Sequence, residues 1–153
     1  MPAKSLQLDR FLPYRLSVAS LLVSDVIAGA YFKLFGLTVP EWRVVAVLAE
    51  NKGITQQQIG LRTRMDKVTV SRAALALTNR GLVTRSPNPQ DGRSRLLTLS
   101  KEGQELYQLV VPQALDLEKS IFGKISSDDL ERFSAILNQI VEAAAKIAAI
   151  NSD

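Results

Sequence analysis

The sequence predicts a mainly α-helical fold carrying one small β-hairpin, and three observations predict it. Apolar residues recur at helical spacing through most of the 153 residues. Capping residues stand where those periods begin. The helical period then vanishes between Leu82 and Leu99, where short apolar runs flank a turn-rich stretch.

Residues 6–35 read as a long helix, either continuous or irregular at its start. Pro13 belongs near the beginning, where its missing N–H costs nothing. Gly36 and Leu37-Thr38-Val39-Pro40 break the pattern. Thr38 is the N-cap of the next helix, with Glu41 at the third helical position in a capping-box arrangement. That helix runs to about Asn51 and is expected to bury Val44, Val45, Val47 and Leu48. Asn51-Lys52-Gly53 ends it. Thr55 caps a short helix from Gln56 to about Arg64, and Asp66 caps another from Lys67 to about Arg80, closed by Gly81. Strands over Leu82–Arg85 and Arg95–Leu99 flank Ser86-Pro87-Asn88-Pro89-Gln90-Asp91-Gly92. Ser100 caps a helix to about Lys124, with Pro112 inside it as an expected kink. The last helix starts after Ser126 or Ser127, with Asp128, Asp129 and Glu131 in its first turn, where the dipole favours them. Leu130, Phe133, Leu137, Ile140, Ala144 and Ile147 recur along it at alternating steps of three and four, a coiled-coil-like seam.

Composition excludes several functions. The chain has no Cys and no His, which removes thiol redox sensing, imidazole acid–base chemistry and most zinc sites. It shows no carboxylate pair, phosphate loop or nucleophile motif. Neither catalytic nor metal-binding residues are expected, and no cofactor. The N-terminal MPAKSLQLDR lacks a signal peptide's apolar core. Ser17, Ser20, Ser24 and Asp25 interrupt the longest apolar stretch, which argues against a membrane span. The expected location is the cytoplasm. Residues 62–101 hold nine basic and two acidic residues, a net of +7 in a chain totalling +4, leaving −3 elsewhere. Segregation of this kind suits a surface that meets phosphates.

Two short helices joined by a tight turn and followed by a basic hairpin form a winged helix-turn-helix, in which the second helix enters the major groove of DNA. In ITQQQIGLRTRMDKVTVSRA, residues Ile59, Met65, Val70, Ala74 and Leu77 can form the internal face, and small Gly60 permits close approach. Gln56 and Gln57 open the first helix. Lys67, Thr69, Ser71 and Arg72 cluster at the start of the second, where Arg can bond guanine and Thr can contact a thymine methyl or phosphate. At the hairpin end, Asp91, Arg93 and Arg95 suit a narrow minor groove that concentrates negative potential. Asp91 can pair with Arg93 or hold it extended.

The run from Asp91-Gly92-Arg93 through Leu99-Ser100-Lys101-Glu102-Gly103 resembles the wing signature of the MarR family, an Asp-x-Arg followed by Leu-Thr/Ser-x-x-Gly. Asp66-Lys67-Val68-Thr69-Val70-Ser71-Arg72, the exit Arg80-Gly81-Leu82-Val83-Thr84-Arg85 and the helix order resemble it too. Arg64 departs from the family at a turn position often held by Gly, and Leu75 departs where a polar residue is usual. The resemblance implies a homodimer assembled through the N-terminal helix and the two C-terminal helices. It also implies a pseudo-palindromic operator in double-stranded DNA, read at half-sites about 34 Å apart. The implied organisation is 1–36 as dimerisation and sensing helix, 37–99 as winged DNA-binding domain and 100–153 as C-terminal dimerisation helices.

Family members usually repress, and a small, often anionic aromatic ligand releases them from DNA. The residues matching such a site are Tyr14, Arg15 and Ser17 on the first helix, Trp42 and Arg43 on the second, and Tyr107 and Val111 on the fifth. Apolar walls and an Arg anchor suit an aromatic carboxylate. Trp42 and Tyr107 suit a core equally, and Arg43 an acid partner. Leu12-Pro13-Tyr14-Arg15-Leu16-Ser17 and Glu41-Trp42-Arg43 look similar to members sensing hydroxycinnamate-type acids or their coenzyme A thioesters. The expected function is a ligand-released dimeric repressor; the alternative is a non-sensing architectural DNA-binding protein.

Overall fold

The structure, a computed structural model, describes residues 4–152; the first three residues of the polar N-terminal stretch and Asp153 lie outside the described residues. After one 3-10 turn at Leu8–Arg10 come α1 (Leu12–Phe35), α2 (Val39–Glu50), α3 (Gln56–Thr63) and α4 (Lys67–Asn79). The hairpin β1 (Val83–Pro87) and β2 (Arg95–Leu99) follows, then α5 (Lys101–Phe122) and α6 (Ser127–Ile150). The chain divides into one unit up to Ala114 and a second from Leu115 onward, the boundary falling within α5.

Local chemistry places the helix ends in the first unit. Pro13 occupies the first turn of α1, and Gly36, at φ 63°, ends that helix in the left-handed region. Thr38 and Glu41 form the expected capping box: the Glu41 amide donates to Thr38 Oγ1 at 3.3 Å, while Glu41 Oε1 accepts from the Thr38 hydroxyl at 2.8 Å and its amide at 3.3 Å. Glu41 is therefore buried with its acceptor satisfied. A second box links Thr55 and Gln58. The Asp66 carboxylate caps α4 by accepting from the Thr69 amide at 2.8 Å.

Leu37, Val44, Val45, Leu48, Ile59, Val70, Ala74, Leu77, Val83, Leu97 and Val110 form the core of this unit. Val47 and Met65, expected inside, are only half-buried. Gly60 is less constrained than expected. A Cβ there would meet Met65 O at 3.4 Å and Val70 Cγ2 at 3.9 Å, ordinary contact distances, so an alanine fits.

The hairpin pairs antiparallel from Val83 opposite Leu99 to Pro87 opposite Arg95, which carries β1 two residues beyond its expected end. A rung invisible in the sequence joins it. The Ile54 amide donates to Leu97 O at 3.2 Å and the Leu97 amide to Ile54 O at 2.8 Å, tying the entry to α3 onto the inner strand. Ser100 locks the hairpin exit, its hydroxyl donating to Gly81 O at 2.6 Å and accepting from the Gly103 amide at 3.0 Å. A side chain at Gly103 would run into the Leu82 carbonyl oxygen, so this helix start requires glycine.

Pro112 lies inside α5, which ends at Phe122, two residues before its expected end. In the second unit, Ser126 caps α6 through the Asp129 amide at 3.2 Å. No residue of α6 is buried.

Candidate nucleic-acid interface

The helix-turn-helix is built around an unusual corner. Arg64, between α3 and α4, adopts φ 57° and ψ 18°, the one left-handed non-glycine among the described residues. The corner is braced by Thr63, whose hydroxyl donates to Ile59 O at 2.7 Å and accepts from the Met65 amide at 3.3 Å. The turn thus keeps its geometry at a position where glycine would be free of strain, and it directs a cation outward.

With Val70, Ala73, Ala74 and Leu77 committed to the core, the opposite face of α4 presents Lys67, Val68, Ser71, Arg72 and Leu75 to solvent. Thr69 lies between these faces and is half-buried. Its hydroxyl donates to Asp66 Oδ2 at 2.9 Å. These bonds from Thr69, amide first and hydroxyl second, hold the Asp66 carboxyl below its ordinary pKa. They also use the Thr69 proton, leaving that side chain a lone pair and a methyl to offer a partner.

A groove of about 730 Å³ between α3 and α4 is lined by Gln56, Gln57, Arg64 and Lys67 among others. On the other side of the α3 start, a cleft of about 470 Å³ brings Gln56 and Gln57 to Asp91, Arg93 and Arg95 of the hairpin. Of the expected residues the two cavities bring together Gln56, Gln57, Lys67, Asp91, Arg93 and Arg95, with Asp91 the only acid among the described lining residues, while Thr69, Ser71 and Arg72 line neither. The cleft adds Arg85, which the motif reading did not single out. Its position opposite Leu97 in the hairpin register was the missing information, since that pairing turns it toward α3.

The hairpin tip is organised by its own side chains. Asn88 Nδ2 donates to Ser94 Oγ at 2.9 Å, and the Gln90 amide donates to Asn88 Oδ1 at 3.1 Å. Asp91 Oδ1 accepts from the Arg93 amide at 3.0 Å. Asp91 therefore holds the Arg93 backbone, while the Arg93 side chain stays exposed.

One member of the basic segment serves otherwise. The Arg80 guanidinium donates to Gly36 O and Phe35 O, each at 3.1 Å, closing the C-terminus of α1 with a cation where the helix dipole favours one.

The residues matched to a ligand site fall into two groups. Trp42 stacks on Tyr107 with ring centroids 5.9 Å apart, and Tyr31 meets Trp42 edge-on at 5.3 Å. Burial raises the Tyr31 pKa. Val111 is half-buried and Arg43 exposed. Tyr14, Arg15 and Ser17 are exposed at the other end of α1, with Tyr14 about 25 Å along the helix axis from Tyr31. One chain does not gather the two groups into a single cavity among the described residues.

Comparison with known proteins gives the same picture. Residues 35–94 match the model of the MarR family. The chain is 27% identical over 107 residues to the transcriptional regulator HosA of Escherichia coli, covering 70% of this chain and 79% of that protein. Its fold matches the crystal structure of a MarR/EmrR family transcriptional regulator from Acinetobacter, with a TM-score of 0.85, 22% identity and coverage of 92% and 99% of the two chains. It also matches CouR from Rhodococcus jostii bound to p-coumaroyl-CoA, with a TM-score of 0.80, 23% identity and coverage of 89% and 95%. At these identities the structural likenesses establish the winged fold.

Proposed function

We propose that this chain is a transcription regulator of the MarR family, a cytoplasmic homodimeric repressor released from its operator by an aromatic acid or the coenzyme A thioester of one. The observation that carries the DNA-binding part is the surface running from α4 across the start of α3 to the hairpin. It presents Lys67, Arg72, Arg85, Arg93 and Arg95 against two carboxylates, Asp66 and Asp91, which accept from the backbone amides of Thr69 and Arg93. On this reading Lys67, Thr69, Ser71 and Arg72 enter the major groove, Gln56 and Gln57 position α3 on the backbone, and Arg93 and Arg95 reach the flanking minor groove.

The dimer is supported by apolar side chains that no part of the chain covers. Of the α6 seam residues, Phe133 and Ile140 are exposed and Ile147 is 61% exposed, whereas Leu130 is half-buried. Leu137 is half-buried and Ala144 exposed beside them. In α1, Leu12 is 72% and Phe32 67% exposed. Both helices are long and apolar enough to cross a membrane by length and composition. A second copy provides an apolar partner for the same faces and preserves the two-fold geometry that a palindrome requires.

The effector class rests on Trp42 and Tyr107, a stacked pair beside exposed Arg43, and on Arg15 with Tyr14 and Ser17 at the far end of α1. It agrees with the p-coumaroyl-CoA bound by the Rhodococcus neighbour. A second copy is the means of completing a pocket whose two groups stand apart in one chain.

Footprinting of the DNA flanking the gene tests the whole reading. The expected result is one protected pseudo-palindrome whose affinity falls with salt and which aromatic acids or their thioesters release. Uniform protection competed equally by random duplex would replace it with an architectural role. Arg93→Ala is expected to weaken operator binding about 5- to 150-fold, the range for losing one groove contact; unchanged affinity would remove that residue from the interface.

A further inference from the structure

We infer that Val68 reads a thymine methyl in each operator half-site, within one or two base pairs of a guanine read by Arg72. The inference rests on the DNA-binding reading above and assigns part of its sequence specificity.

Val68 is the second residue of α4 and 57% exposed. Its neighbours on the stripe Val70, Ala73, Ala74 and Leu77 are buried, so Val68 has no place in the core that α4 makes. It stands instead on the solvent face between Lys67, Ser71 and Arg72. A branched aliphatic group amid cations and hydroxyls contributes little to folding and lowers helix propensity slightly. Its chemistry fits a partner that is anionic in its frame yet apolar at one point. The major groove of DNA has that character, because the C5-methyl of thymine is the apolar group displayed on its base edges.

The surroundings narrow the choice of reader. In a helix-turn-helix the N-terminal residues of the second helix reach the base edges, which favours Val68 over Leu75 two turns further on. Thr69, the other methyl-bearing residue at this end, is half-buried and its hydroxyl is tied to Asp66. Val68 and Arg72 are four residues apart, so their Cβ atoms lie about 5–6 Å apart on one helix face. Successive base pairs are spaced about 3.4 Å along the duplex, so the two side chains address pairs one or two steps apart. Arg72 bonds guanine O6 and N7 through both arms of its guanidinium, while Val68 fills against the methyl.

The test uses the full chain and a randomised duplex pool from which its preferred site is selected. Each thymine of the selected site is then replaced singly by deoxyuridine, which removes the methyl and preserves pairing. The expected result is one thymine per half-site, within two pairs of a guanine, whose replacement weakens binding about fourfold, as burial of one methyl predicts. Val68→Ala, at an exposed helical position where alanine is well tolerated, is expected to lose a similar factor on the thymine site and to bind the deoxyuridine site equally well. A selected site at which no thymine methyl matters, or a Val68→Ala chain that still discriminates thymine from deoxyuridine, overturns the assignment while leaving sequence-specific binding intact. A pool that never converges overturns the DNA-reading function itself, and this assignment with it.

Discussion

The helices α4 and α6 are both amphipathic, but they use their apolar faces differently. In 13 residues α4 buries Val70, Ala73, Ala74 and Leu77. In 24 residues α6 buries none. The winged part closes its own core: α2, α3, α4 and the hairpin satisfy one another, and even Glu41 finds its partner within its own capping box. The end of α5 and the start of α6 leave open an apolar cleft of about 540 Å³ lined by Phe122, Ile125, Leu130, Phe133 and Leu137. The contrast separates a helix whose apolar face this chain covers from one whose apolar face it leaves exposed.

The most severe way to break this contrast is to charge the open face. In the proposed two-fold dimer the double substitution Phe133→Glu with Ile140→Glu removes four apolar anchors, each worth roughly 1.5–3 kcal/mol when buried. Sedimentation is expected to show a monomer with its winged part still folded, and operator affinity is expected to fall at least a hundredfold. A variant that remains dimeric would remove α6 from the subunit interface. Against the closed part, Gly103→Ala forces a methyl onto the Leu82 carbonyl. Overpacking of this kind costs about 1–3 kcal/mol, and a thermal melt should show it; an unchanged melting temperature would mean that the hairpin exit yields. Arg80→Gln tests the link between α1 and the end of α4. Loss of a cation at a helix C-terminus is expected to cost roughly 0.3–1 kcal/mol, read as a small fall in the denaturation midpoint.

The smallest expected effect is a pH dependence. Asp66 has a depressed pKa in the folded chain because its carboxylate accepts from Thr69. Its contribution to stability is present above the ordinary aspartate pKa and is lost as pH falls through the lower, folded value. Asp66→Asn, whose amide has one acceptor oxygen for the two Thr69 bonds, should therefore lower stability modestly at neutral pH and converge on the parent chain at low pH, flattening the acid limb of the stability profile. An identical acid limb in the variant would show that the Thr69 bonds are not retained in solution.

Most helix starts were legible because capping is local. Thr38 with Glu41, Thr55, Asp66, Ser100 and Ser126 satisfy amides within three residues, so a short window contains both partners. The Ile54–Leu97 rung was not legible, since a single extended residue has no period and its partner lies 43 positions away in the chain. The role of Arg80 was not legible for a related reason. Its charge counts toward the basic segment, but its guanidinium closes a helix more than forty residues earlier.

The sequence by itself determined the order of helices and hairpin, the basic character of the segment from Arg62 to Lys101, and the wing pattern of Asp91, Arg93, Ser100 and Gly103. Periodicity, charge and capping are properties of neighbouring residues, and a linear reading reaches them. Only the tertiary structure decided which cations are free and which side chains face outward. It engaged Arg80, turned Arg85 toward the start of α3, used the Thr69 proton, left Val68 exposed and parted Tyr14 from Trp42. These outcomes depend on contacts between residues distant in the chain or on how a helix is rotated in the fold, which no local pattern encodes.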